Sequence, residues 1–142
     1  MKHTLSTLTL FLFISFSFGH TQLGSDIDGE TEGDYFAYNS MNSAGDRVAI
    51  GAWSNDGNVN NAGHVRVYDL VNGSWTQVGS DIDGEAEGDE SGKSVSMNSD
   101  GSIVAIGAPS NDGSLPSRHQ QKCPFLSLRI VGLNLTRPFH LK

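Results

Sequence analysis

A duplication limits what this chain can fold into more than any other feature of its sequence. The stretch Gln22-Leu23-Gly24-Ser25-Asp26-Ile27-Asp28-Gly29-Glu30-Thr31-Glu32-Gly33-Asp34 returns about 55 residues later as Gln77-Val78-Gly79-Ser80-Asp81-Ile82-Asp83-Gly84-Glu85-Ala86-Glu87-Gly88-Asp89. A second block, from Met41-Asn42-Ser43 through Val48-Ala49-Ile50-Gly51-Ala52 to Ser54-Asn55-Asp56-Gly57, recurs as Met97-Asn98-Ser99 through Val104-Ala105-Ile106-Gly107-Ala108 to Ser110-Asn111-Asp112-Gly113. Its offset is about 56, so one residue was gained or lost between the blocks. Each unit of such an array is a small supersecondary structure that buries its apolar face only against a neighbour.

Within one period the residues predict four short strands. The first covers Tyr35 to Met41, matched by Lys93 to Met97. Asn42-Ser43-Ala44-Gly45 and Asn98-Ser99-Asp100-Gly101 supply tight turns, because Gly and Asn/Asp tolerate positive φ. The second strand, Arg47 to Ala52 and Ile103 to Ala108, holds Val-Ala-Ile-Gly-Ala, an uncharged run suited to burial on both faces. After the polar loop from Ser54 to Gly63, the third strand runs from His64 to Val71 with Val65 and Val67 on one face and His64, Arg66 and Tyr68 on the other. Asn72-Gly73 is a strong hairpin signal, since a type I′ turn needs positive φ at both centres. Ser74 to Gly79 forms the fourth strand, with Trp75 as a packing residue near the sheet edge.

No segment of the mature repeat carries a sustained helical period, so an all-β fold is expected. Four antiparallel strands per unit of this length make a β-propeller-type blade, with a β-sandwich as the runner-up. The repeats supply fewer than two blades, whereas propellers close with about 4–8. The chain therefore reads as a propeller fragment with exposed sheet edges.

Three unlike regions follow from composition. Residues 1–19 contain no acid; a basic start, a Leu/Phe-rich run and Ser17-Phe18-Gly19 read as a secretory signal peptide, cleaved after Gly19. Residues 20–114 carry the repeat and all sixteen acids of the chain against Arg47, Arg66 and Lys93, a net charge of about −13 (3 − 16). That charge argues against nucleic acid, which demands basic patches, and suits an extracellular surface or a divalent cation. The expected location is therefore secreted or cell-surface, with no transmembrane segment once the signal is removed. Residues 115–142 lose the repeat and all acids, and read as a divergent basic tail, either non-native or disordered. The lone Cys123 lies there, so no internal disulfide holds the fold.

The acids alternate with other residues in both copies, and a looped path through Gly29, Gly33, Gly84 and Gly88 would gather several oxygens. This makes Asp26, Asp28, Glu30, Asp34, Asp81, Asp83, Glu85 and Asp89 the candidate Ca²⁺ ligands, and Ca²⁺ the one candidate cofactor. The competing reading is that these acids cap turns through Asx-type hydrogen bonds. For catalysis the residues offer little. His64 is the one histidine inside the repeats, no His/Cys cluster has zinc spacing, and no phosphate loop occurs. A non-catalytic role is expected.

Gly92-Lys93-Ser94-Val95 followed by Val104-Ala105-Ile106-Gly107-Ala108-Pro109 resembles the FG-GAP repeat of integrin α-subunit propellers and of secreted bacterial surface proteins; Phe36-Ala37 and Gly51-Ala52-Trp53 form a degenerate copy. The resemblance covers about Gln22 to Gly113 and implies a propeller that binds an extracellular protein or glycan, with further blades in a longer parent. It also implies Ca²⁺ in an Asp-rich loop between the first two strands. Here those loops, Asn42 to Asp46 and Asn98 to Ser102, are short and poor in acids. The expected function is that of a secreted binding or adhesion scaffold. The alternatives are a fragment of an extracellular propeller enzyme, such as a polysaccharide lyase or hydrolase, and a product with no independent function.

Overall fold

The computed structural model describes residues 19–111 and 127–133. The expected signal peptide, apart from Gly19, lies outside the described residues, as does most of the basic tail. The described chain is all-β, with no helix among its residues. Its strands are β1 (Phe36–Met41), β2 (Arg47–Ala52), β3 (His64–Val71), β4 (Ser74–Gln77), β5 (Ile82–Asp83), β6 (Ser94–Met97), β7 (Ile103–Ala108) and β8 (Ser127–Gly132). The first sheet has the order β1-β2-β3-β4, with β5 also paired to β3; the second has the order β6-β7-β8. Every pairing is antiparallel.

Strands β2, β3 and β7 have the expected bounds, and β1 and β6 start one residue late. The hairpin between β3 and β4 turns at Asn72 (φ 50°) and Gly73 (φ 80°), the two positive angles that a type I′ turn requires. The fourth strand departs from expectation. It stops at Gln77, bends through Gly79 (φ 74°), and resumes as β5, where Ile82 and Asp83 pair with Val65 and His64. Val78 N–H still donates to Val67 O at 2.7 Å across the break. The front half of the second acidic stretch is therefore a bulged continuation of the sheet and not the loop its glycines suggested.

The divergent tail supplies β8, a strand that no repeat or turn signal in the sequence announces. It takes the place beside β7 that β3 takes beside β2: Ala52 pairs with His64 and Ala108 with Ser127.

All six residues of β2 are buried: Val48 to Ala52 as an uncharged run requires, and Arg47 with a carboxylate partner. Ala49, Val65 and Val67 on one face pack against Val104 and Ile106 of β7, which joins the two sheets. Val48, Ile50 and Tyr68 on the other face pack against Ile27, Phe36 and Trp75. Each buried aliphatic side chain of this kind stabilises by about 1.5–3 kcal/mol. The sheets approach so closely that a Cβ at Gly51 would lie 2.1 Å from the Gly92 carbonyl oxygen. Polar groups tie the same contact. Arg47, almost fully buried, forms a two-pronged pair with Asp69 at 2.5 and 2.7 Å, and its Nη1 donates to Gly101 O at 2.9 Å.

Candidate functional site

The eight candidate carboxylates do not gather in one place; the structure divides them by task. Asp34 and Asp89, at the ends of the two acidic stretches, are buried. Asp34 accepts hydrogen bonds from Thr31 N–H at 3.1 Å, Thr31 Oγ1 at 2.7 Å and Asn55 Nδ2 at 2.9 Å. Asp89 repeats the device, accepting from Glu85 N–H, Ala86 N–H and Asn111 Nδ2 at 2.9–3.1 Å. Each aspartate closes its own turn and fastens the polar loop that follows the second strand. Burial pushes the Asp34 carboxyl up, but the Thr31 and Asn55 hydrogen bonds outweigh it and leave the group below its ordinary value.

A second group forms where the two acidic stretches approach the inner face of β3. Strand alternation turns Arg66 and His64 to that face. Arg66 Nε and Nη2 donate to the two oxygens of Asp81 at 3.0 and 2.8 Å, and Nη2 also pairs with Glu30. Gln77 Nε2 donates to the same Asp81 at 2.6 Å. His64 Nδ1 stands 3.8 Å from Asp81. Ligand atoms of Glu30, His64 and Asp81 all lie within 4.8 Å of one another, the one convergence of three metal-ligating groups among the described residues.

The electrostatics of this group are those of an ion pair. Hydrogen bonding from Arg66 holds the Asp81 carboxyl below its usual value, against the opposing effect of burial. Asp81 in turn raises the Arg66 guanidinium, which stays charged. Burial, reinforced by the nearby Arg66 charge, lowers His64, so its imidazole is neutral at pH 7. The guanidinium already supplies the positive charge that a cation would bring to Glu30 and Asp81. A divalent ion bound there would have to displace a bidentate arginine.

The remaining candidates are exposed. Asp26 accepts from Gln22 Nε2 at 2.8 Å, and Asp28, Asp83 and Glu85 face solvent. Asp83 and Glu85 border a shallow groove that also includes Ser91, Asn111 and Arg129. The loops between first and second strands, where the family resemblance would put Ca²⁺, are closed by amides. Asn42 Oδ1 accepts from the Asp46 and Arg47 N–H groups, and Asn98 Oδ1 accepts from Ile103 N–H.

Sequence reasoning singled out the acids but missed Asn55, Asn111 and Arg66 as their partners. The asparagines did leave a signal. Asn55 and Asn111 sit in the duplicated Ser-Asn-Asp-Gly block, separated from Asp34 and Asp89 by 21 and 22 residues, so donor and acceptor were duplicated together. Comparison with known proteins found no matching family model, no matching curated protein and no matching solved structure.

Proposed function

We propose that the chain is a non-catalytic, exported repeat module of the FG-GAP-like β-propeller type, part of a longer array, and serves as a binding or adhesion scaffold for an extracellular protein or glycan. The observation that carries this reading is the use made of the duplicated acids. Asp34 and Asp89 hold turns and asparagines, and Glu30 and Asp81 neutralise Arg66. A carboxylate pair poised for acid–base work needs one member kept protonated near neutral pH. Of the duplicated acids, the two that show a shift, Asp34 and Asp81, move the other way. What is duplicated is thus framework, and a duplicated framework suits a surface that presents many weak contacts.

Incubation of the full chain with a panel of extracellular polysaccharides tests this directly. Saturable retention without release of reducing ends or unsaturated products is expected, and turnover of any member would overturn the scaffold reading. Calcium titration calorimetry sharpens the role of the acids. No heat and no rise in melting temperature at millimolar Ca²⁺ is the expected result. Stoichiometric uptake with thermal stabilisation would make the acidic stretches Ca²⁺ loops instead.

A further inference from the structure

The bulged fourth strand of the first sheet, residues 74–83, is bound to β3 by a specific code. Tyr68 pairs with Gln77, Val65 with Ile82 and His64 with Asp83. Gly79 supplies the bulge, Gln77 positions Asp81, and Arg66 grips Asp81 with both prongs. Among the described residues, the second sheet ends at β8 with nothing in this fourth position. The register makes β8 the equivalent of β3: Arg66 pairs with Ile50, and Arg129 pairs with Ile106. Arg129 is exposed and donates only through Nη1 to Asp83 O at 3.1 Å in the described structure. It shares the shallow groove with Glu85, the repeat counterpart of Glu30. Glu85 thus borders the same groove as Arg129, and among the described residues no counterpart of Asp81 pairs with that arginine.

The apolar face shows the same gap. Val65 and Val67 are 0% and 2% exposed, whereas their counterparts Leu128 and Ile130 are 60% and 68% exposed.

The missing piece exists elsewhere in the chain. Residues 22–28 repeat the sequence of residues 77–83 with a single change, Leu23 for Val78. They also repeat its conformation: Gly24 has φ 77° where Gly79 has 74°. Gln22 donates to Asp26 at 2.8 Å as Gln77 donates to Asp81 at 2.6 Å. The segment is seated on the first sheet by Ile27, which packs on Val48, Ile50 and Tyr68, and by Trp75 Nε1 donating to Leu23 O at 2.9 Å. Among the described residues no strand pairs with it, and Leu23 is 64% exposed. Among the described residues, one sheet thus carries a third strand without a fourth, while the other holds a preformed fourth strand without a third.

We propose that β8 of one molecule pairs with residues 22–28 of a second copy of this chain, in the register of β3 with residues 77–83, and that Arg129 closes on Asp26 of that copy. Ser127 then stands opposite Asp28, Leu128 opposite Ile27 and Val131 opposite Gln22. Leu128 and Ile130 then lie against the side of the second copy's first sheet where Ile27, Phe36 and Trp75 pack over Val48 and Ile50. Backbone pairing supplies affinity, and the arginine–aspartate match fixes the register. The contact joins unlike surfaces, so it propagates head to tail and yields a ring or an open filament.

Sedimentation velocity on the full chain across a concentration series tests the proposal. Concentration-dependent association is expected. Arg129→Glu or Asp26→Arg alone should weaken it about tenfold or more, since each sets like charges face to face. An equimolar mixture of the two variants should restore association to within a few-fold, because both natural and reversed charge pairs can then form. Circular dichroism melts on each variant show whether the fold survives. A crosslink provides a readout that does not depend on these charges. In a Cys123→Ser background, Asp28→Cys and Ser127→Cys chains mixed under mild oxidation should yield the mixed disulfide. A monomer at all concentrations, association indifferent to either charge reversal, no recovery on mixing, or only like-with-like disulfides would each overturn the proposal. The first outcome would assign the β8 edge to another occupant, either the chain's own residues 134–142 or a further blade.

Discussion

The two sheets have the same first turn, the same Val-Ala-Ile-Gly-Ala run in the second strand and the same acidic tether leading into them, yet they differ on one face. Toward the preceding unit they are alike: Val48 and Ile50 in the first sheet and Val104 and Ile106 in the second are all buried. Toward the following unit they diverge. The buried Arg47–Asp69 pair of the first sheet corresponds to Ile103 and Gly132 in the second, and buried Val65 and Val67 correspond to exposed Leu128 and Ile130. The second sheet's Val104 and Ile106 are covered by Ala49, Val65 and Val67 of the first sheet. Its opposite face, with Leu128 and Ile130, is left exposed among the described residues. Within the shared Val-Ala-Ile-Gly-Ala run, Ala49 is buried and its counterpart Ala105 only partly so, because the first sheet has a neighbour stacked on that face.

The greatest strain on this comparison comes from its glycines. Gly51→Ala would drive a methyl into the Gly92 carbonyl, a backbone atom that cannot move aside, and is expected to cost more than about 3 kcal/mol or abolish folding. Gly107→Ala at the equivalent position meets the rotatable Ser94 hydroxyl and should cost far less. Equal losses in thermal melts would break the distinction. Next in size is Asp69→Ala, which strands the buried Arg47 charge and should destabilise by about 3–5 kcal/mol in urea titration. Ile103→Ala, its second-sheet comparison, lies on the open face and should change stability by less than about 1 kcal/mol in dilute solution. Val65→Ala is expected to cost about 2 kcal/mol and Leu128→Ala within about 0.5 kcal/mol of nothing, again at concentrations where molecules are separate.

The smallest effect is the pH response. The folded state holds His64 below its ordinary value of 6.5, so the unfolded chain binds the proton more readily. Stability is then complete above about pH 6.5 and declines as pH falls below it. Asp34 and Asp81, both lowered from 3.8, add a further loss as pH falls through that value. Urea midpoints at pH 7.5 and 5.5 should differ in the wild type, and His64→Gln should flatten the difference. A wild-type midpoint that rises toward pH 5.5 would contradict the assignment.

Much of the fold could be read from residues because duplication states it twice. Asn72-Gly73 specified the hairpin, and the Val-Ala-Ile-Gly-Ala run marked the buried second strand in both copies. Beyond the repeat that legibility ends. No repeat or hairpin signal marks β8 at Ser127–Gly132, and its place is determined by the edge of β7. The acidic stretches were legible as a unit but not in their division of labour. Asp81 meets Arg66 only because the bulge at Gly79 returns the chain to β3, and Glu30 reaches the same guanidinium from another turn of the array. Spacing along one stretch carries no information about such a meeting.

One contact described by neither core has an unusual geometry: Ser43 N–H and Oγ both donate to the carbonyl of Ser99, at 3.0 and 2.8 Å, so a position touches its own duplicate. Any side chain written into the ancestral unit at that point would have met the backbone of its own duplicate. An acid there would repel the carbonyl oxygen, and a bulky group would collide with it; a small hydroxyl donates to it instead. In a stacked array, compatibility with the duplicate's backbone across the seam thus limits which side chains this serine position can keep.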